Sequence, residues 1–407
     1  MADLARVLHV LDASTQASGV VTHVRGLLAL QRARGFDARA MVLVDSPETP
    51  LPDFAAERFP RTFDHLQGWR LRSTLQQRLV DFNPALIHLH AGFTTISPTL
   101  VSAFGRFAPT VGTLHDVRPF CFRADRLKQP EASECVRRCG WGCVTSGCYS
   151  PSSPVELLKM LRTVPTGIAA LAAWRGLAEI IVPSRYMEAL ALQHGFAPQS
   201  LSRVPNFTEV AVPSAPQSSA GVPLIVFMGR LTSEKGVLVL LDALKRVEPH
   251  AWNAVLLGDG PLRAALIAQA TQYGLSERLT ILPNADSNQR SALLARAYML
   301  VLPSLIPESF GLSGLEASAH GLPVVSFGLG GVTEWLRDER TGLIARPVQA
   351  DALAQQMARL LEAPEFARRL GHSGQELVRR DFNGATAIER LSQIYYKHMG
   401  ISKNSSF

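Results

Sequence analysis

Short apolar runs recur along the chain, each followed by a polar or glycine-bearing stretch and then by apolar positions at helical spacing. The first run, RVLHVL at 6–11, reads as a strand. A polar loop at 14–19 follows, and Val20, Val21, Val24, Leu27, Leu28 and Leu30 repeat as one helix face. Runs at 35–44 (GFDARAMVLV), 85–90 (ALIHLH), 110–115 (TVGTLH) and 179–182 (EIIV) continue the strands, and 201–204 closes the half. Residues 75–81, 155–161, 169–174 and 185–195 read as helical, the last with Ser184 as its N-cap. Strands apolar on both faces, alternating with helices, predict a doubly wound parallel sheet. Residues 210–221 (VAVPSAPQSSAG) have no periodicity and read as a linker. The alternation then restarts, with strands at 224–228 (LIVFM), 254–257 (AVLL), 279–282, 298–302 (YMLVL), 322–327 (LPVVSF) and 342–345 (GLIA). The expectation is an α/β protein of two such domains.

Glycine loops follow successive strands of the second half, at Gly229, Gly258, Gly311 and Gly328 to Gly331. In open α/β sheets such loops line a ligand crevice at the carboxyl ends of the strands. The first of them, GRLTSEKG at 229–236, sets Arg230 and Lys235 at a helix N-terminus, where backbone amides and two cations suit an anion of about diphosphate size. An ordinary basic loop is the plainer reading, and the flanking glycines favour the anion. The stretch 303–316, PSLIPESFGLSGLE, holds Glu308 at a helix mouth and Glu316 inside the helix. Taken alone, the pair is an acid at a helix N-terminus plus a solvated glutamate. In the first half, the loop before Gly19 opens a helix without a G-x-G-x-x-G pattern, which argues against a dinucleotide site.

His88 and His90 share one face of a strand, but no third ligand for a metal stands near them in sequence, so core histidines are the better reading. His115 ends a strand at the position where α/β sheets place ligands. Asp116 beside it either orients the imidazole or caps the next turn. All five cysteines fall between Cys121 and Cys148. Cys135, Cys139, Cys143 and Cys148 could make an all-thiolate structural zinc or iron–sulfur site, against a plain reading of reduced, packed thiols. Disulfides are the least favoured option.

The 407 residues are 47% hydrophobic, enough for two cores, and no apolar stretch reaches the ~20 residues of a membrane span. The start MADLARVLHVLDAS resembles a signal peptide only superficially, and a cytoplasmic protein is expected. A net charge of +7 suits nucleic acid, anionic membrane or phosphorylated substrates. The absence of zinc-finger, helix-turn-helix or aromatic-interleaved basic motifs argues against nucleic acid. The arginines gather loosely at 58–78 and 118–138, so an interfacial patch on the first domain remains open.

GRLTSEKG, then GDGP at 258–261, PSLIPESFGLSGLEASAHGLPVV at 303–325 and TGLIARP at 341–347 together resemble the retaining glycosyltransferases of family 4 across the whole second domain. In the first domain SGVVTHV, LHD, VPSRYM and VPNF resemble the family's landmarks more thinly. The resemblance implies the GT-B fold, two Rossmann-like doubly wound domains facing across a cleft. An N-terminal acceptor-side domain at 1–208, a linker at 209–222 and a donor-binding domain at 223–384 would follow, with a helix and tail at 385–407 crossing back. It implies a nucleotide-sugar donor, UDP- or GDP-linked, and no metal for transfer. Arg230 and Lys235 would stabilise the diphosphate, and Glu308 would meet the donor sugar. Gly229 and the amides of Phe310, Gly311 and Leu312 would line the donor, and Glu316 would hold the ribose. Glu308 and Glu316 would face Arg230 and Lys235 across one crevice. Gly19 would close on the diphosphate or acceptor, with His115 and Asp116 on the acceptor side. The acceptor would be a glycan, a lipid-linked sugar or a small molecule, in bacterial envelope polysaccharide or glycolipid synthesis at the inner membrane face. A sugar-nucleotide epimerase, a phosphorylase or a non-catalytic binding protein are the alternatives.

Overall fold

The computed structural model describes residues 5–12, 19–44, 57–60, 68–90, 96–123, 125–128, 133–146, 148, 151, 153–208 and 221–401. Most of the linker, the loop before Gly19 and much of the arginine-bearing stretch after 44 lie outside the described residues. The chain divides into two compact units, Met1–Pro205 with Gly384–Phe407, and Asn206–Asn383.

The first unit is built on a seven-stranded parallel sheet: β1 (Arg6–Asp12), β2 (Asp37–Val44), β3 (Glu57–Pro60), β4 (Leu86–Leu89), β5 (Thr110–Thr113), β8 (Glu179–Val182) and β9 (Leu201–Arg203). Its order is β3-β2-β1-β4-β5-β8-β9. A two-residue hairpin, β6 (Leu127–Lys128) with β7 (Ser133–Glu134), lies within the cysteine-bearing segment. Strands β4, β5 and β8 are buried at every residue, as strands covered on both faces are, so their sequences show no division into a core face and a solvent face. The order reverses between β1 and β4, so the carboxyl ends of these strands form the unit's switch point.

Residues 155–161 and 169–174, read above as separate helical pieces, are one helix, Pro154–Arg175. Pro165 removes one amide donor and would ordinarily break it. Ser153 caps the start by accepting from the Glu156 amide at 3.2 Å, and Met160, Val164, Leu171 and Trp174 bury one continuous stripe. Packing of that stripe outweighs the lost bond. The last helix, Gly384–Met399, completes the same unit by burying Ile388, Leu391, Ile394 and Tyr395 against the helix Gly19–Ala33 and β4. Lys397 and His398 both donate to Glu179 at 2.7 Å.

The second unit has a six-stranded parallel sheet: β10 (Leu224–Met228), β11 (Asn253–Leu257), β12 (Leu279–Leu282), β13 (Met299–Leu302), β14 (Val324–Ser326) and β15 (Gly342–Ile344). The order is β12-β11-β10-β13-β14-β15, reversing between β10 and β13. Its core includes Leu240, Leu244 and Trp252 on one side and Phe310, Leu315 and Trp335 on the other. Among the described residues no helix is long and apolar enough to cross a membrane.

Candidate active site

In the second unit the loops that leave β10, β11, β13 and β14 are hydrogen-bonded to one another at the carboxyl end of the sheet. The amide of Gly229 donates to Leu257 O at 3.0 Å and that of Leu231 to Asp259 O at 2.9 Å. Leu305 N reaches Glu234 O at 3.0 Å, Glu308 N reaches Leu329 O at 3.3 Å, and Gly331 N reaches Glu308 O at 2.7 Å. Two glycines make this lacing sterically feasible. A Cβ on Gly236, whose φ is +66°, would stand 1.9 Å from Pro303 O, and one on Gly258 would stand 1.8 Å from Gly229 O. Four loops are thereby held as one rigid rim.

Charged side chains stand on that rim. Lys235 Nζ donates to Glu308 Oε1 at 2.5 Å, and Ser304 Oγ donates to the same oxygen. Burial pushes the Glu308 carboxyl up. The Lys235 charge and the two donated hydrogen bonds overcome it and leave the group below its ordinary value, so it is ionised at neutral pH. Arg230 pairs with Glu234 at 3.1 Å and keeps a mostly exposed guanidinium. The Phe310 side chain is fully buried and its carbonyl accepts from Trp335 Nε1 at 2.7 Å, which fixes the mouth of the helix Leu312–Ala319. Gly311 is the N-cap of that helix, and the first amides after it have no intrahelical acceptor.

Glu316 differs from the sequence expectation. Among the described residues it makes no ion pair with Arg230 or Lys235. Its Oε2 lies 3.5 Å from Arg290 Nε, on the helix Ser287–Leu294. Burial raises the Glu316 carboxyl, and Arg290 offsets only part of the rise. Arg290 was not singled out from the sequence, where it is one arginine on a short helix with no motif around it.

In the first unit His115 lies just beyond β5, half-buried, and Gly19 is the first residue of its helix. Asp116 caps the turn that follows: its Oδ1 accepts from the Arg118 amide at 2.9 Å, and its Oδ2 lies 3.4 Å from Arg118 Nε. His88 and His90 do acquire a third imidazole. Residue His9 of β1 is in register with His88 of β4, and ligand atoms of His9, His88 and His90 lie within 4.8 Å of one another. Both nitrogens of each ring already hold a protein partner, however. His9 bonds His90 at 2.9 Å and Gln31 at 2.7 Å; His88 bonds Tyr395 at 2.6 Å and Thr113 at 2.7 Å; His90 bonds His115 at 2.9 Å. Burial lowers the pKa of His9 and of His23 to about 4 and those of His88, His90 and His115 well below 6.5. The cluster is a neutral hydrogen-bonded network with no carboxylate in it to offset a divalent charge.

The all-thiolate site left open at Cys135, Cys139, Cys143 and Cys148, against the plainer reading of packed thiols, does not assemble among the described residues. Among the described residues no three sulfurs come within 4.8 Å of one another. The cation at the centre of the segment is a guanidinium. Arg126 is 2% exposed and donates to Phe120 O at 3.1 Å, Arg137 O at 3.2 Å and the Cys135 carbonyl. Carbonyl oxygens thus gather on Arg126 at the centre of the segment. Cys139 and Cys143 do meet as a pair. A hydrogen bond from Cys139 pulls the Cys143 thiol down to about 6, while the same contact pushes Cys139 up.

Known proteins carry the same organisation. Residues 17–212 match the family described as Glycosyltransferase Family 4, and residues 213–377 match glycosyl transferases group 1. The chain is 35% identical to the D-rhamnosyltransferase WbpZ of Pseudomonas aeruginosa over 40% of its length and 42% of that protein's. It is 25% identical to the 2-deoxystreptamine glucosyltransferase of Streptomyces kanamyceticus over 63% and 69%. The chain spans 42–45% of the length of the first curated relatives it matches. In structure it is similar to a sucrose-phosphate synthase from Thermosynechococcus elongatus, with TM-score 0.73, 20% identity and coverage of 98% and 100% of the two chains. It is also similar to Anabaena HepE in complex with UDP and glucose, with TM-score 0.69, 19% identity and coverage of 97% and 100%. With one family match ending where the other begins, and a Rossmann-like sheet beneath each, the chain belongs to the family 4 glycosyltransferases of GT-B fold.

Proposed function

We propose that the chain moves a sugar from a UDP- or GDP-linked donor to a glycan, lipid-linked or small-molecule acceptor, with retention of configuration and with no metal ion required. The observation that carries this reading is the Lys235–Glu308 pair on a rim of four interlaced loops. Cleavage of the sugar–diphosphate bond builds negative charge on the leaving group, and Lys235 and the exposed guanidinium of Arg230 supply fixed positive charge for it. A bound diphosphate competes with Glu308 for Lys235, and the released, ionised carboxylate accepts hydrogen bonds from donor-sugar hydroxyls. Glu316 accepts from the ribose, and Gly229 and the amides at Phe310, Gly311 and Leu312 lie along the donor. His115 serves the acceptor side, beside Asp116. The family resemblance favours attack on the face the diphosphate leaves, with the departing phosphate taking the acceptor's proton, and among the described residues of the rim no carboxylate stands out as a nucleophile.

The relative named as a D-rhamnosyltransferase supports transfer of a hexose-type sugar, and the role proposed for it is in bacterial envelope polysaccharide or glycolipid synthesis. Exposed apolar residues on the helix Pro154–Arg175 are compatible with membrane contact, and the net charge of +7 suits an anionic surface. The test is a panel of nucleotide sugars with binding, hydrolysis and transfer readouts, followed by Lys235→Ala on the best donor. Turnover should fall about 10²–10³-fold with the fold intact. Undiminished turnover would sink the diphosphate assignment, and conversion of donor alone would favour an epimerase or phosphorylase.

A further inference from the structure

We propose that Gln31, His9 and His90 are positioning residues that hold His115 in one tautomer, protonated at Nε2, with its Nδ1 lone pair presented to a hydroxyl of the bound sugar or acceptor. The inference rests on the reading that His115 serves the acceptor side, and it extends that reading to residues no motif marks.

The direction of every hydrogen bond follows from the Gln31 amide. Gln31 Oε1 can only accept, so the nitrogen 2.7 Å from it, His9 Nε2, carries the proton. A neutral imidazole carries one proton, which leaves His9 Nδ1 bare. It must therefore accept from His90 Nε2–H at 2.9 Å. By the same count His90 Nδ1 is bare and accepts from His115 Nε2–H at 2.9 Å. His115 Nδ1 is then the lone-pair end of the series, and it has no hydrogen-bond partner among the described residues.

On its other side Gln31 Nε2–H donates to the Tyr395 oxygen at 3.2 Å. Tyr395 O–H donates to His88 Nδ1 at 2.6 Å, and His88 Nε2–H donates to Thr113 Oγ1 at 2.7 Å. The six bonds run one way, from His115 to Thr113, and each polarises the next. Turning the Gln31 amide over would reverse all of them and make His115 Nδ1 a donor. The amide is the element that sets the sense of the row. Burial keeps these rings neutral, as the counting requires. A bare Nδ1 recognises a group with a proton to give, such as a sugar hydroxyl, and discriminates against a deoxy or O-methyl analogue at that position.

The experiment is a long-range proton–nitrogen NMR spectrum of the full chain labelled with nitrogen-15 in histidine, at neutral pH and without substrate. The His115 signals are assigned by their loss in His115→Gln. The expected result is a single His115 tautomer with the proton on Nε2. Gln31→Leu should give a mixed or reversed tautomer, with turnover about tenfold lower, the worth of one aligned hydrogen bond. Tyr395→Phe, nearly isosteric, frees the amide to turn and should shift the same signals if Gln31→Leu folds poorly. A wild-type His115 protonated on Nδ1 would overturn the proposal. So would unchanged tautomers in both variants, or a stoichiometric metal in protein purified without added metal. The spectrum needs no turnover, so a failure to find any glycosyl transfer leaves this result readable, and a wrong tautomer in an active transferase refutes this inference alone.

Discussion

At the scale of single residues, Lys235 neutralises Glu308 on the rim. Under the proposed function a diphosphate would claim the ammonium, and the carboxylate would become available to the sugar only with donor bound. Glu316 has a different environment, buried and set against Arg290 with its carboxyl raised. Glu316→Ala should weaken nucleotide binding by about tenfold or more, as loss of a charged hydrogen-bond acceptor does. Calorimetry with the nucleoside diphosphate alone checks this, and unchanged affinity would count against the ribose role. The buried imidazoles predict acid sensitivity. His9 and His23 ordinarily titrate near 6.5 but are lowered to about 4 in the folded chain. Between those values the unfolded chain binds more protons, so falling pH favours unfolding, and the stabilisation is complete only above 6.5. Each ring adds up to about 1.4 kcal/mol per pH unit inside that window. Urea midpoints should therefore drop between pH 7.5 and pH 5, and level midpoints would contradict neutral burial.

At the scale of elements, the helix Pro154–Arg175 presents two faces. Val164 and Trp174 are fully buried, while Val155, Leu158 and Leu161 are 77%, 71% and 51% exposed. Vesicles containing anionic lipid should retain the wild-type chain on sedimentation, and Leu158→Asp with Leu161→Asp should release it while leaving transfer to a water-soluble acceptor unchanged. Wild-type protein that ignores such vesicles would remove the case for membrane contact. This helix also shows what the sequence could and could not disclose. The parallel strands were legible because burial on both faces leaves short, largely apolar runs, and GRLTSEKG was legible because its glycines and cations are contiguous. The helix was split in reading because Pro165 is a local signal, whereas the packing of Met160 and Leu171 that overrides it is not local. The same holds for His9, which looks like a stray polar residue in RVLHVL until strand register sets it against His88. Gln31, Tyr395, Arg126 and Arg290 each gain their meaning from partners distant in the chain or outside any motif.

At the scale of the molecule, the chain leaves the first unit, builds the second and returns, so Gly384–Met399 belongs to a domain begun hundreds of residues earlier. Truncation after Asn383 strips Ile388, Leu391 and Tyr395 from the first unit's core, at about 2–5 kcal/mol for each large side chain. That sum, about 6–15 kcal/mol, is as large as the whole margin of an ordinary domain. Calorimetry of the truncated chain should lose the first unit's transition and keep that of Asn206–Asn383; two intact transitions would refute this. During synthesis the consequence is one of timing. Domains fold largely as units while the chain emerges from the ribosome, yet the unit that starts to emerge first lacks a core helix until the second has been made. The second unit is complete in the nascent chain while the first still waits for Tyr395. A polypeptide cut short between Asn383 and that residue carries a finished second unit and an unfinished first, and cellular proteolysis can recognise it by the hydrophobic surface that the missing helix would have covered.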